Sequence, residues 1–467
     1  MNLVRQLKKI YRWLPFFLLL LLPLIIFRFK TVQRVLTRAF YTKAAITVNV
    51  KETPPNWYNN WQCFGQGGEE PGVNMLQSVV SPLRSLNPRY IRLDHIFDDD
   101  YYGVVTATGQ YDFTRLDQTV DSIVQTGAKP LLVLSYMPSF MAASKISTPD
   151  NWQKWEQLVT TTIEHYSGFN QKNIQNVYYE VWNEPDLDSF GGFKYYGQKS
   201  YLDLYLHSTR AINNIHWANS FKIGGPATTS LYENWVRALL DYSQSNNLPL
   251  GFISFHQYSP YPEEYLKNMT NLKSILAYYP QYQNLDILLT EWGPDSAKNP
   301  VYNTVTAAAF SLATISEVNQ QVSLACAFEI KDGPQTNSWG LIGHDSRQLK
   351  LKPRYQAFSW LAELTEPMGL NGDGTFVTGL AGKNDDRYLL LLTNYDPAGS
   401  HQELVPVRFI NLKPGKYTLT KQFLGQDPIR EEINLESSVY SADWYLPANS
   451  VLKLDLVPYS DTGSVYP

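Results

Sequence analysis

Two glutamates stand where strand-like apolar runs stop abruptly: Glu184 in "VYYEVWNEP" (177 to 185) and Glu291 in "DILLTEW" (286 to 292). A lone glutamate at such a place is ordinarily solvated or salt-bridged. Here both lie beside a tryptophan, one preceded by asparagine and the other by threonine, which makes a pattern. Two carboxyl groups facing each other across a sugar ring are what cleavage of a glycosidic bond requires: one protonates the departing oxygen, and the other attacks the anomeric carbon through an oxocarbenium-like transition state. The roles need different proton affinities. An ionised Glu291 would hold a proton on Glu184 by like-charge repulsion, and glycosylation of Glu291 would remove that charge and free Glu184 to act as base toward water. Pro185 disfavours helical backbone at the residue before it, so Glu184 is expected in an extended conformation at the strand's rim.

Neighbours of the pair are candidate substrate contacts, each with a plainer structural reading beside it. Asn183 offers an amide for the sugar's 2-hydroxyl, or merely a turn at the strand end. Arg92, ending "RYIRLD", could donate to Glu291 or only bridge strands, and Asp94 follows it. His256 and Tyr258, ending "GFISFHQY", could orient Glu291 or touch sugar. Tyr136, Trp182, Trp292 and Trp339 offer aromatic faces for pyranose C–H groups, although with 12 Trp and 32 Tyr most aromatics must be packing.

These residues need a scaffold that brings distant strand ends together. Eight short apolar runs read as buried parallel strands: 61 to 66, 89 to 94, 129 to 135, 177 to 182, 221 to 225, 251 to 256, 286 to 292 and 323 to 330. A helix-period segment follows each, so the class is α/β and the architecture a (β/α)8 TIM barrel over 57 to 365, with its site at the carboxyl ends of the strands. From 366 to 467 the rhythm changes to short alternating strands, the pattern of a small antiparallel β-sandwich domain. A strand within 44 to 56, "AAITVNV", is placed to join it.

Residues 1 to 43 carry nine Lys or Arg and no acid, leaving 30 basic against 43 acidic residues in the rest. So acidic a body is a poor surface for nucleic acid, and no nucleic-acid partner is expected. Within that segment, "WLPFFLLLLLPLIIF" would span roughly 22 Å as a helix against a hydrocarbon core of roughly 30 Å. It reads as a membrane-anchor helix of the uncleaved signal-anchor kind, or else as a cleaved signal, which places the rest of the chain outside the cytoplasm as a membrane-anchored or secreted protein. Cys63 and Cys326 form no disulfide framework and read as buried free thiols, yet closure of the barrel would put their strands side by side. No metal-ligand cluster and no phosphate-cradling motif occurs in the sequence; "GQGGEE" (65 to 70) reads as a flexible loop. Asn268 to Thr270 is an N-glycosylation sequon.

In the residues quoted, the chain resembles the retaining glycoside hydrolases of clan A, and within them family 39, which holds β-xylosidases, α-L-iduronidases and exopolysaccharide hydrolases. "EVWNEPDL" is similar to that family's fourth-strand motif, and "KIGGPAT", "ISFHQY" and "LLTEWG" are similar to its strands five, six and seven. The resemblance implies Glu184 as acid/base, Glu291 as nucleophile, a barrel with an attached sandwich, and no cofactor. It also exposes departures: Asp94 stands where the family usually carries a sugar-contacting histidine, and the strand-eight run lacks the family's paired glutamates. The expected activity is retaining hydrolysis of an extracytoplasmic poly- or oligosaccharide, β-xylosidase-like or exopolysaccharide-degrading. A clan A endo-glucanase or mannanase, and a non-catalytic carbohydrate-binding scaffold, stay open as alternatives, as does oligomeric state.

Overall fold

The computed structural model describes residues 41–54, 59–334, 339–344 and 349–459. The apolar run at 13–27, with the rest of residues 1–40, lies outside them. Among the described residues no helix is long and apolar enough to cross a membrane.

After β1 (Ile46–Asn49), eight strands close into a parallel barrel: β2 (Cys63–Gln66), β3 (Tyr90–Leu93), β4 (Lys129–Leu134), β5 (Val177–Val181), β6 (Phe221–Thr228), β7 (Phe252–Tyr258), β8 (Asp286–Gly293) and β9 (Leu324–Phe328). A helix follows each in turn: α1 (Val80–Ser85), α2 (Thr114–Gln125), α3 (Trp152–Ser167), α4 (Tyr201–Arg210), α5 (Glu233–Ser245), α6 (Pro262–Leu276), α7 (Val305–Val318) and α8 (Pro353–Ala362). This is the (β/α)8 order read from the sequence.

Strand side chains alternate between two cores, as the pleat demands. Tyr90, Leu131, Val133, Tyr178, Phe252 and Leu288 pack with both cysteines in a small cluster inside the barrel. Residues one position on, such as Ile91, Leu132, Tyr179 and Ile253, join the larger core beneath the helices. The interior is tight: a Cβ at Gly224 on β6 would lie 2.4 Å from the Phe252 carbonyl oxygen. At the seam, β2 pairs with β9 and Cys63 lies opposite Cys326. The two form a disulfide, their Cα atoms 4.2 Å apart, so the free-thiol reading is overturned. A sequence separation of 263 residues concealed a pairing that barrel closure makes adjacent.

The remaining strands form two sheets. One is ordered β13-β1-β16-β19, with β13 (Gly369–Asn371), β16 (Glu403–Ile410) and β19 (Val439–Leu446); the other is ordered β12-β14-β15-β20-β17-β18. In the latter, β12 is Glu366–Pro367, β14 Val377–Asn384, β15 Arg387–Asn394, β17 Gly415–Phe423, β18 Ile429–Leu435 and β20 Ser450–Pro458. A minor β10 (Ile342–Gly343) and β11 (Lys350–Leu351) pair beside the barrel. The sandwich is not wholly antiparallel: β1, arriving from the far end of the chain, runs parallel to β16. Helix α7 is buried nearly all round because it lies between β8 and the second sheet. That double burial braces the strand carrying Glu291.

Candidate active site

Glu184 and Glu291 meet at the carboxyl-end mouth of the barrel. Carboxylate oxygens of both and a ring nitrogen of His256 all lie within 4.8 Å of one another. The side chains keep 12% and 8% of their surface exposed, so each is reachable from outside. This His/acid triad has the compactness of a metal site; arginine and tyrosine hold both oxygens of Glu291, and His256 contacts Arg92 and Glu184.

Two local devices aim the carboxyls. On β8, the register against β7 slips so that Phe255 faces Leu289 while His256 faces Glu291, leaving Thr290 as an extra residue. This bulge turns Glu291 inward and Trp292 outward. On the β5 side, Trp182 and Glu184 adopt left-handed backbone, with φ of 71° and 45°, so the extended conformation expected of Glu184 is not found. The turn is held by the Glu184 N–H on the Ala227 carbonyl at 3.0 Å, the Phe193 N–H on Pro185 at 2.7 Å and the Trp182 indole on Phe190 at 2.7 Å. Left-handed backbone costs a non-glycine residue about 1–2 kcal/mol, and here the surrounding contacts overrule the proline's preference.

Arg92 organises the centre. Its Nε donates to Glu180 at 2.7 Å, Nη1 to Glu291 at 2.7 Å and Nη2 to Asn183 Oδ1 at 2.7 Å. Burial opposes its charge, but Glu180 and Glu291 outweigh that and hold the guanidinium well above its ordinary pKa. Tyr258 donates its O–H to the other oxygen of Glu291 at 2.7 Å. His256 Nδ1 sits 2.9 Å from Glu184 and 3.5 Å from Glu291, with Nε2 3.3 Å from Arg92 Nη2. Arginine only donates, so a proton on Nδ1 directed at Glu184 satisfies both contacts. Burial pushes the Glu291 carboxyl up from its usual range, while His256 and Arg92 pull it down.

Other sequence candidates fare differently. Asn183 uses its Nδ2 on the Tyr136 hydroxyl at 3.1 Å, which leaves one amide hydrogen free. Tyr136 is buried, its ring against His95 and Trp182, so it orients Asn183 and offers no stacking face. Trp292 is fully buried in the layer outside the barrel, packed against Phe358 and beneath Arg354, and Trp182 is fully buried as well; neither is a sugar platform. Trp339 stays half-buried at the rim, its indole on the Ala297 carbonyl at 3.2 Å and its ring beside Phe328. Asp94 lies at the mouth, 5% exposed. Gln66, the last residue of the first strand run read from the sequence, ends β2 and is buried, bonding Glu329 at 3.1 Å. Asn268 of the sequon sits within α6, bonded to Gln257 at 3.0 Å, in place of an open turn.

Glu180 and Glu329 went unrecognised in the sequence. Glu180 shares an inward-facing parity with Tyr178, and a charge on that face was the available signal. Beyond Glu184, a polar cavity of about 530 Å³ opens between the ends of β6 and β7, lined by Thr229, Gln257, Tyr258, Ser259, Lys267 and Asn268 among others.

Comparison with known proteins agrees with this geometry. Residues 78–386 match the family profile described as Glycosyl hydrolases family 39. A β-xylosidase of Geobacillus stearothermophilus is 24% identical over 364 residues, covering 68% of this chain and 71% of its own. Among solved structures, a monomeric β-xylosidase from Caulobacter crescentus superposes with a TM-score of 0.76 at 21% identity, covering 89% of this chain and 100% of its own. The family 39 enzyme from Xanthomonas axonopodis pv. citri gives 0.75 at 21% identity, covering 90% and 99%.

Proposed function

This chain belongs to glycosyl hydrolases family 39 and is a glycoside hydrolase, and from that premise we propose that it cleaves the O-glycosidic bond of an oligo- or polysaccharide by double displacement, in the manner of a β-xylosidase. Glu184 gives its proton to the glycosidic oxygen as the bond from that oxygen to the anomeric carbon breaks. Glu291 attacks the same carbon and forms a glycosyl ester. Water then attacks that carbon, Glu184 takes its proton, and the Glu291 carboxylate is released, so net configuration is retained. Arg92 and Tyr258 position Glu291, and the free amide hydrogen of Asn183 is available to the hydroxyl next to the anomeric carbon.

One observation carries the reading: an oxygen of one carboxyl lies within 4.8 Å of an oxygen of the other, which supports the close placing of retaining pairs, about 5–5.5 Å between carboxyl groups, over the about 6.5–9.5 Å of inverting ones. Proton NMR of the first sugar released from an aryl β-xyloside tests it. The β-anomer is expected before mutarotation, and the α-anomer would overturn the retaining assignment.

The site of action is proposed to lie outside the cytoplasm. The Cys63–Cys326 disulfide supports this, since such bonds persist in oxidising compartments, as does the basic and apolar run that begins the sequence. Recovery of the protein from the cytoplasmic fraction with both cysteines reduced would count against it.

A further inference from the structure

A hydroxyl of the sandwich is bonded to the turn that leaves β7. Tyr395 follows β15 directly, is 5% exposed, and donates its O–H to the Pro260 carbonyl at 2.8 Å. Pro260 lies two residues beyond Tyr258, whose own O–H holds Glu291 at 2.7 Å.

On the sandwich side the donor is rigidly mounted. Asn394 Nδ2 donates to the carbonyls of His401 at 2.9 Å and Pro447 at 2.8 Å, the Tyr395 N–H to the Phe376 carbonyl at 2.8 Å, and the Asp396 N–H to Asn449 Oδ1 at 2.8 Å. The Tyr395 ring stands 5.6 Å from Phe310 of α7, and Phe310 stands 6.0 Å from Trp292, the residue after Glu291. On the barrel side, residues 259–261 form a short turn between β7 and α6. The Ser259 N–H ties it to the Gly293 carbonyl at the end of β8 at 3.1 Å. Pro260 has no N–H, so its carbonyl is the one backbone group by which it can be held. That residue is exposed, and water would satisfy the carbonyl equally well. What a fixed donor adds over water is place.

Resting on the role given above to Glu291, we propose that Tyr395 is a positioning residue through which the sandwich sets the turn after β7, and with it the Tyr258 hydroxyl on Glu291. A donor to a carboxylate favours its ionised form. A turn released from Tyr395 therefore leaves Glu291 less ready to ionise.

Tyr395→Phe tests this, because it keeps the ring against Phe310 and removes only the donor. Lys453→Met is the comparison: it cuts another contact between sandwich and barrel, Lys453 Nζ to Glu363 at 3.0 Å. On an aryl β-xyloside, Tyr395→Phe is expected to lower kcat about 3- to 10-fold through misplacement, with Tm little changed, and to move the acid limb of kcat/KM to higher pH. Lys453→Met is expected to lower Tm and leave that limb in place. Amide exchange followed by mass spectrometry should quicken over 258–261 in Tyr395→Phe and stay unchanged over β15. Unaltered kcat and acid limb in Tyr395→Phe, or an equal shift of the limb in Lys453→Met, overturns the inference. If wild type hydrolyses no glycoside, the reading of Glu291 fails, and exchange alone then decides the brace: faster exchange in the turn upholds it, and unchanged exchange overturns it.

Discussion

Glu180 and Glu291 share one cation: Oε2 of the first and Oε1 of the second each lie 2.7 Å from the Arg92 guanidinium. The Glu180 contact is sealed from solvent, with Arg92 1% and Glu180 0% exposed, while Glu291 keeps 8%. A long arginine stem inside a barrel has many rotamers, and fixing one requires more than one anchor. Glu180 supplies the fixed point from which Nη1 reaches Glu291.

Glu180→Gln tests that arrangement. The amide keeps the volume and an acceptor oxygen but removes a charge, so Arg92 loses its firmest hold and catalysis should fall about 10- to 100-fold through misplacement of Glu291. The pH response has a definite sign. With Glu180 neutral, the guanidinium charge acts less divided on Glu291, the carboxyl ionises more readily, and the acid limb of kcat/KM should move to lower pH by about one unit or less. A residue that merely filled space would lower activity without moving that limb.

The barrel was legible in the sequence because eight apolar runs alternate with eight amphipathic segments, and periodicity is a local property. Glu184 and Glu291 were legible because they end such runs. Trp292 was misread because its orientation depends on the extra residue Thr290, a register slip that only the β7 pairing reveals. The backbone of Glu184 was misread for a similar reason: Pro185 argues for extended geometry locally, while the Ala227 carbonyl and the Phe193 turn impose φ of 45° from outside the segment. The disulfide joins the first and last barrel strands, so only closure discloses it. Glu180 was the readable residue that was passed over, a charge on the same strand parity as interior Tyr178.

His256 should make stability depend on pH. Burial opposes its protonation, but Glu291 and Glu184 outweigh this, and its pKa is raised above the ordinary 6.5. A histidine raised on folding contributes stability that is fully present below its unfolded pKa and is lost as pH rises through the folded value. The Tm difference between wild type and His256→Gln should therefore be larger at pH 5.5 than at pH 9. Equal differences at both would mean that the imidazole gains no proton affinity from the two glutamates.

The cysteine pair should matter for stability and leave the chemistry intact. A cross-link at the seam restricts the unfolded chain over 263 residues, and removing a native disulfide typically costs about 2–5 kcal/mol. Alanine at both positions should lower Tm and the denaturant midpoint without changing kcat at temperatures where the fold persists. Reductant should reproduce the effect in wild type once the bond becomes accessible, and should do nothing to the double variant. A double variant as stable as wild type would show that strand pairing alone holds the seam.

Azide distinguishes the two glutamates by the face from which it attacks. In Glu291→Ala the nucleophile's space is empty, so azide entering there meets the anomeric carbon opposite the leaving group and yields a glycosyl azide of inverted configuration. Glu184 is still present to protonate an oxygen leaving group in that variant. In Glu184→Ala the glycosyl ester on Glu291 still forms from substrates whose leaving group needs no proton, and azide then attacks from the side Glu184 vacated. Two inversions return the original configuration. Without azide, each variant should lose at least about 10³-fold in kcat. Products of swapped configuration would exchange the two roles, and the same configuration from both variants would refute double displacement on this pair.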